Sequence, residues 1–214
     1  MTAAVLLGLL CSASGAAAQS ASPSGVVKTK GLMLGAHASG TSLWFQDEDS
    51  QQGVGGGVMA GWGFTKWLMV YGGIDGAKID FKGPGDFDDE FEALGLKSSY
   101  TMIHADVGAR FSLEQGSMVV PYANVAITGR VLTTEVLKQD VSVHGEGVTL
   151  GGGVQFFFNP KFALDLGVQF TAGEFDRYDV DDHSGPLKDF TEVKNSTSAR
   201  LSVGLKFYPH FSSK

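Results

Sequence analysis

Cysteine is almost absent: one residue, Cys11, stands among 214, inside the first apolar run. Neither a disulfide framework nor a cysteine-based metal site can be built from it. Positive charge is scarce as well, with 16 Lys and Arg against 23 Asp and Glu and a net charge of −7. Nucleic acid, which demands a basic face, is therefore not an expected partner. All charged residues together make up 18% of the chain, below the usual share of about 25%. Past the N-terminus no stretch reaches the ~18 uninterrupted apolar residues of a membrane-spanning helix. What is abundant is glycine, 30 residues of 214. The glycines follow no three-residue period, which excludes collagen. They lie among Val, Phe, Leu and Trp, which argues against disorder. Glycine mixed with aromatic and β-branched residues suits strands that pack closely, as in a barrel wall.

The N-terminus is a separate matter. Residues 3–10 are a short apolar run, followed by small residues ending in Ala16, Ala17 and Ala18 before Gln19. This predicts a signal peptide over residues 1–18, cleaved after Ala18, although no Lys or Arg precedes the run. The run is too short to span a bilayer. Nothing helical continues from it, so a buried N-terminal helix is a poor alternative. A lipid-anchored Cys11 would want a small residue before it, and Leu10 is not small. The expected organisation is then a short segment over 19–28, a barrel over 29–209 and a tail over 210–214. The mature part holds no cysteine, which suits an oxidising compartment.

Period-two alternation recurs along the mature chain in stretches of about ten residues. Over 101–111, Ile103, Ala105, Val107, Ala109 and Phe111 take one face, and Met102, His104, Asp106, Gly108 and Arg110 the other. Residues 54–64, 148–158, 162–172 and 198–208 behave alike. Three further strands are less regular. The phase slips near Gly40 in 32–45, which predicts a bulge, and again near Gly76 in 67–81. In 119–130, Pro121 is tolerated only at a strand's start or edge. Eight strands are expected. Their connections alternate between short (65–66, 114–118, 159–161) and long (46–53, 82–99, 135–147, 177–196). All tight turns thus fall at one end and all long loops at the other, as in membrane barrels. A Greek-key sandwich has no need of this asymmetry. Trp44, Phe45, Trp62, Phe64, Trp67, Tyr71, Tyr122, Phe158, Phe162 and Phe207 lie near strand ends and are expected to form interfacial girdles.

Asp106-Val-Gly-Ala-Arg-Phe111, Val120-Pro-Tyr-Ala-Asn124 and Ala199-Arg-Leu-Ser-Val-Gly-Leu-Lys-Phe207 carry a family likeness. The chain resembles the small eight-stranded outer-membrane β-barrel family, including the OmpA-like transmembrane domain and OmpX. The resemblance covers nearly everything after residue 28. It implies an all-β, eight-stranded antiparallel up-and-down transmembrane barrel, with short periplasmic turns and long extracellular loops. Expected partners are outer-membrane lipid and lipopolysaccharide, the barrel assembly machinery, and an extracellular partner reached through the loops. The expected state is a monomer.

The face opposite the apolar one carries His37, His104, Asp106, Arg110, Arg130, Asp165, Glu174, Arg200 and Lys206. An eight-stranded interior is barely wide enough for its own side chains. Charges there must pair, because each unpaired one costs several kcal/mol in desolvation. A lumen plugged by salt bridges is one outcome, and a narrow polar path for ions or small solutes is the other. His37 and Ser39 share a face and resemble the His-x-Ser pair of lipid A deacylase barrels, but they are expected to point inward. No residue is assigned to catalysis, to a cofactor or to a metal. Acidic clusters at residues 86–90 and 179–183 lack EF-hand spacing and read as solvated loops. Phe87, Phe91, Leu94 and Leu96 of the second long loop could cover the barrel mouth or meet a partner. Three functions compete: a structural or surface-interaction barrel, a small porin-like channel, and a soluble ligand-binding barrel of lipocalin type. The last is disfavoured because apolar residues outside and charges inside invert the soluble arrangement.

Overall fold

The computed structural model describes residues 29–45, 50–80, 99–113, 118–136, 139–180, 183–186 and 195–209. The expected signal peptide, the 86–90 cluster, the apolar residues of the second loop and the tail 210–214 lie outside the described residues. So does part of the 179–183 cluster.

Alternating sequence becomes strand throughout. The elements are β1 (Gly31–Phe45), β2 (Gln51–Gly63), β3 (Leu68–Asp80), β4 (Ser99–Ser112), β5 (Val119–Val136), β6 (Gln139–Asn159), β7 (Phe162–Val180), β8 (His183–Pro186) and β9 (Asn195–Phe207). All pairings are antiparallel, in the order β6-β5-β4-β3-β2-β1-β9-β7. A β6–β7 pairing joins the two ends into a closed ring of eight. The four-residue β8 lies outside the ring, paired to β7 alone. No described helix is long and apolar enough to cross a membrane.

The two faces of the wall follow the alternation. Val107, Ile127, Leu150 and Leu201 on the outside are 60–71% exposed, whereas Asp106, Arg110, Asp165 and Arg200 on the inside are at most 7% exposed. This inverts a soluble barrel. The outer apolar stripe on β4 runs from Phe111 to Ile103, and on β7 from Phe162 to Ala172. Such runs match the 9–11 residues of a tilted transmembrane strand. At the short-turn end the stripe finishes in stacked rings: Phe162 with Phe207 at 4.8 Å, Phe158 with Phe162 at 6.2 Å, and Trp67 with Phe111 at 6.3 Å. Side chains close the turns. Thr65 Oγ1 accepts from the backbone N–H of Leu68 at 3.0 Å, and Asn159 Oδ1 from those of Lys161 at 2.8 Å and Phe162 at 3.0 Å.

Several expectations are corrected. Neither Gly40 nor Gly76 sits at a bulge: β1 and β3 pair without interruption on both sides. The apparent slips arise because Leu43, Ala77 and Ile79 are apolar yet face inward, where they pack with Met102 and Phe175. The register shifts fall instead between His144 and Gly145 and between Phe157 and Asn159. Tyr71 and Tyr122 are not girdle residues, since they point into the lumen at 3% and 6% exposure. Residues 135–147 are no loop either. β5 and β6 continue to a tight hairpin at Val136↔Gln139, and β7 runs on through Val180 into the predicted fourth loop. At 18, 21 and 19 residues, these three strands exceed the ~10 residues that a bilayer requires. One side of the wall therefore stands above the apolar band as a sheet, with β8 on its flank.

Val107 lies midway along the outer stripe of β4. Val107→Arg is expected to destabilise the barrel by about 2–4 kcal/mol in lipid vesicles, and Val107→Leu to be nearly neutral. Urea unfolding in vesicles, followed by tryptophan fluorescence, measures both.

Candidate functional site

The lumen is built in tiers. At the short-turn end Met33, Met69, Val120, Phe157, Ala163 and Tyr208 form a buried apolar cluster. Phe157 and Tyr208 meet with ring centroids 5.4 Å apart, and the Tyr208 hydroxyl donates to Gln155 Oε1 at 2.9 Å. At the other end the Leu43, Ala77, Ile79, Met102 and Phe175 cluster fills the interior, flanked by Tyr100, Leu132 and Val143. Charge is confined between them.

That middle tier is threaded by ties across the lumen. Arg200 Nη2 on β9 lies 2.9 Å from Asp106 Oδ2 on β4. The other Asp106 oxygen accepts from Thr128 Oγ1 at 2.6 Å. Thr128 continues a hydroxyl ladder through Thr149 to Thr171. Nearer the turns, Asp165 on β7 sits 3.7 Å from Arg110 Nη1 and 3.5 Å from Lys206 Nζ. The Arg110 guanidinium also lies over the Tyr122 ring at 3.9 Å. Asp75 Oδ2 on β3 meets His37 Nε2 at 2.7 Å and accepts from Ser39 Oγ at 2.9 Å, both on β1. Higher up, His104 Nε2 lies 3.1 Å from Ser198 Oγ. Arg130 donates to Ser196 Oγ at 2.8 Å and stacks on Phe175 at 4.7 Å. Glycines leave the room these side chains take. A Cβ on Gly153 or Gly167 would lie 2.6 Å or 2.8 Å from the Tyr122 hydroxyl. Between Asp75, Asp106, Arg110, Asp165 and Lys206 the space open to water centres is about 30 Å³, room for about two or three water molecules.

Of the residues singled out by sequence, His37, His104, Asp106, Arg110, Arg130, Asp165, Arg200 and Lys206 lie on the inner face. Glu174 does not. It is exposed on the outer face, because it shares parity with Phe170 and Ala172. The inward residue at that height is Phe175, 0% exposed. Sequence reasoning passed over Asp75, Asn124 and the threonine ladder, although the parity of β3 around Val70 and Ile74 already points Asp75 inward. His37 and Ser39 bind the same carboxylate oxygen. A nucleophilic relay instead needs the serine hydrogen-bonded to the histidine, with the acid on the far ring nitrogen. Among the described residues no group of three or more His, Cys, Asp or Glu is arranged to hold a metal.

The sequence matches the family model described as outer membrane protein beta-barrel domain over residues 3–207. No curated protein matches significantly. Among solved structures, the chain is similar to neisserial surface protein A (TM-score 0.62, 18% identity, 83% of this chain and 97% of that one). It is similar also to OprG of Pseudomonas aeruginosa (0.54, 11%, 87% and 100%). A third likeness is to Ail, the attachment invasion locus protein of Yersinia pestis (0.51, 13%, 83% and 99%). At such identities the shared feature is the fold.

Removing one partner of a buried pair strands the other charge. Asp106→Asn is expected to cost about 3–5 kcal/mol by leaving Arg200 uncompensated. Asp106→Leu combined with Arg200→Met is expected to recover most of that loss. The temperature at which the folded band disappears from an unboiled detergent gel ranks the variants, and a double variant no better than Asp106→Asn would contradict the pairing.

Proposed function

This chain belongs to the outer membrane protein β-barrel family, and from that premise we propose a non-enzymatic structural and surface-interaction barrel with a plugged lumen. The observation that carries this reading is the pair of apolar clusters enclosing the charged tier. An ion would need a continuous wet path. Phe157 and Tyr208 stand across it at one end, Leu43 and Phe175 at the other. The charges between them are engaged with one another or, for Arg130, with Ser196 and the Phe175 ring, so freeing a path would mean exposing unpaired ions at several kcal/mol each.

The remaining parts of the proposal follow the geometry. Export is assigned to residues 1–18 and insertion to the barrel assembly machinery. The turns at 65–66, 114–118 and 159–161 face the periplasm, in keeping with the usual asymmetry of such barrels. Lipid and lipopolysaccharide cover the outer apolar band. A closed ring offers no strand edge within the membrane, which favours a monomer. The extracellular contact surface is the sheet formed where β5, β6, β7 and β8 rise above the band. The Ail likeness supplies fold alone, so the surface role rests on that sheet. Catalysis finds no support in the His37, Ser39 and Asp75 contacts. Cofactors and metals have no part in the proposal.

Planar-bilayer recording tests the plug. After insertion verified by the heat-shifted gel band, no unitary current steps are expected. Phe157→Ala combined with Phe175→Ala, which thins both clusters, is expected to leak. Reproducible steps from the unaltered protein would establish the porin-like alternative. Shortening residues 132–143 to a tight turn is expected to preserve the heat-shifted band. Its loss would mean that the raised sheet belongs to the barrel's own stability rather than to a surface role.

A further inference from the structure

The short-turn end of the barrel carries one sign of charge. Lys30 stands just before β1, Lys66 in the β2–β3 turn and Lys161 in the β6–β7 turn, and all three are exposed. Among the described residues this end exposes no carboxylate. Its acid, Asp165, points into the lumen beside Arg110 and Lys206. The loop end is mixed, with Glu146, Glu174 and Asp176 exposed alongside Lys78 and Arg177. A cationic end in a chain of net charge −7 reflects segregation of charge along the barrel.

The fold holds these lysines on one arc. β7, β9, β1 and β2 follow one another around the ring. Lys161 and Lys30 are therefore two strand spacings apart, about 10 Å. Thr29 Oγ1 donates to the Lys66 carbonyl at 2.6 Å, which sets Lys30 beside the β2–β3 turn. The Tyr208 N–H donates to the Lys161 carbonyl at 2.7 Å. These separations are comparable with the screening length of about 8–10 Å, so the three fields overlap. Aromatic rings set the depth. Phe64 and Trp67 bracket Lys66, and Phe158 and Phe162 bracket Lys161, all exposed on the outer face. Such rings settle at the headgroup level, and the ammonium groups beyond them reach toward the phosphates. A lone interfacial lysine is ordinary. Three on one arc, with no exposed carboxylate beside them, select for negative charge. We infer that this arc binds the phosphodiester headgroups of anionic phospholipid, phosphatidylglycerol or cardiolipin, in the periplasmic leaflet. The inference rests on the proposed orientation, with these turns facing the periplasm.

The test uses the full barrel in vesicles of equimolar phosphatidylcholine and phosphatidylglycerol, with bromine on the acyl chains of one lipid or of the other. Trp44→Phe leaves Trp62 and Trp67 as reporters at the turn end, and Trp62→Phe with Trp67→Phe leaves Trp44 as the control at the loop end. Brominated phosphatidylglycerol is expected to quench the turn-end pair more strongly than brominated phosphatidylcholine, and Trp44 is expected to show no such preference. Lys66→Gln alone is expected to lower the enrichment of phosphatidylglycerol about fivefold. Exchanging Lys30, Lys66 and Lys161 together for Gln is expected to abolish it, and exchanging them for Arg to keep it, with folding checked by the heat-shifted band. With all three lysines in place, salt at about 1 M, where the screening length falls to about 3 Å, is expected to abolish it as well. Equal quenching by the two lipids, a preference that survives the triple Gln exchange, or one as large at Trp44 would overturn the proposal. Orientation is read separately, by protease cleavage at the β5–β6 tip on intact cells. Cleavage only in broken cells removes the parent reading and with it the leaflet, whereas cleavage on intact cells with equal quenching removes this inference alone.

Discussion

The seam between β6 and β7, running from Val141↔Val180 down to Asn159↔Phe162, turns a sheet into a wall without edges. In hydrocarbon every backbone N–H and C=O must find a partner inside the protein, and strands meet that demand only as a closed ring. Closure with eight strands then dictates the rest. The outside must be apolar over the width of the bilayer. The inside is narrow, and whatever stands there must fill it. Because side chains alternate with period two, both demands fall on the same strands. The alternation of Val107 with Asp106, or of Leu201 with Arg200, is the sequence form of that double demand.

A narrow interior need not be charged, and here the charges have a geometric consequence. Three of the ionic ties cross the lumen between strands that are not neighbours. Arg200 to Asp106 spans β9 and β4, Arg110 to Asp165 spans β4 and β7, and His37 to Asp75 reaches across β2 from β1 to β3. Backbone hydrogen bonds fix each strand against its neighbours. These three pairs link strands that do not touch, whereas Lys206 to Asp165 joins the neighbours β9 and β7. A one-residue slip of β4, β5 or β9 would send an arginine into lipid and a valine into the lumen. Pairs of this kind contribute little net stability over apolar replacements, so their physical effect is chiefly to penalise wrong registers.

How far the sequence was legible follows from where both faces of a strand are constrained. Within the bilayer the outer face must be apolar and parity can be counted, which is why Asp106, Arg110, Asp165 and Arg200 could be placed inside from spacing alone. Parity misleads where the lumen itself is apolar. Leu43, Ala77 and Ile79 mimic a bulge because the inner face has no obligation to be polar. Tyr71 and Tyr122 mislead for the related reason that a tyrosine suits either an interface or a packed interior. Glu174 shows the converse. It lies just past Ala172, at the end of the outer apolar stripe, and there a carboxylate can face outward. Beyond that point the outer face is no longer held apolar, and the alternation fades even where Leu132 and Val143 still pack against the inner cluster. That fading hid the upper parts of β5 and β6, whose Thr133, Thr134, Ser142 and His144 read as loop composition.

A narrow interior also limits which side chains are left to face the surroundings. The charged tier between the two clusters leaves room for only about two or three waters, and the surfaces that closure does not consume lie elsewhere. Those are the rim of the outer face and the sheet standing above it. On that sheet His144 and Asp179 approach to 2.9 Å across β6 and β7, with side chains 38% and 40% exposed. An exposed pair of this kind is worth about 0–1 kcal/mol, too little to hold the sheet together. The sheet is held by its backbone ladder, which runs unbroken from the membrane-spanning part of β5 and β6 to the hairpin at Val136↔Gln139. The rigidity imposed by the bilayer is in this way carried outward past its boundary. The raised surface inherits a fixed shape from the barrel while its side chains answer only to water and to whatever they meet.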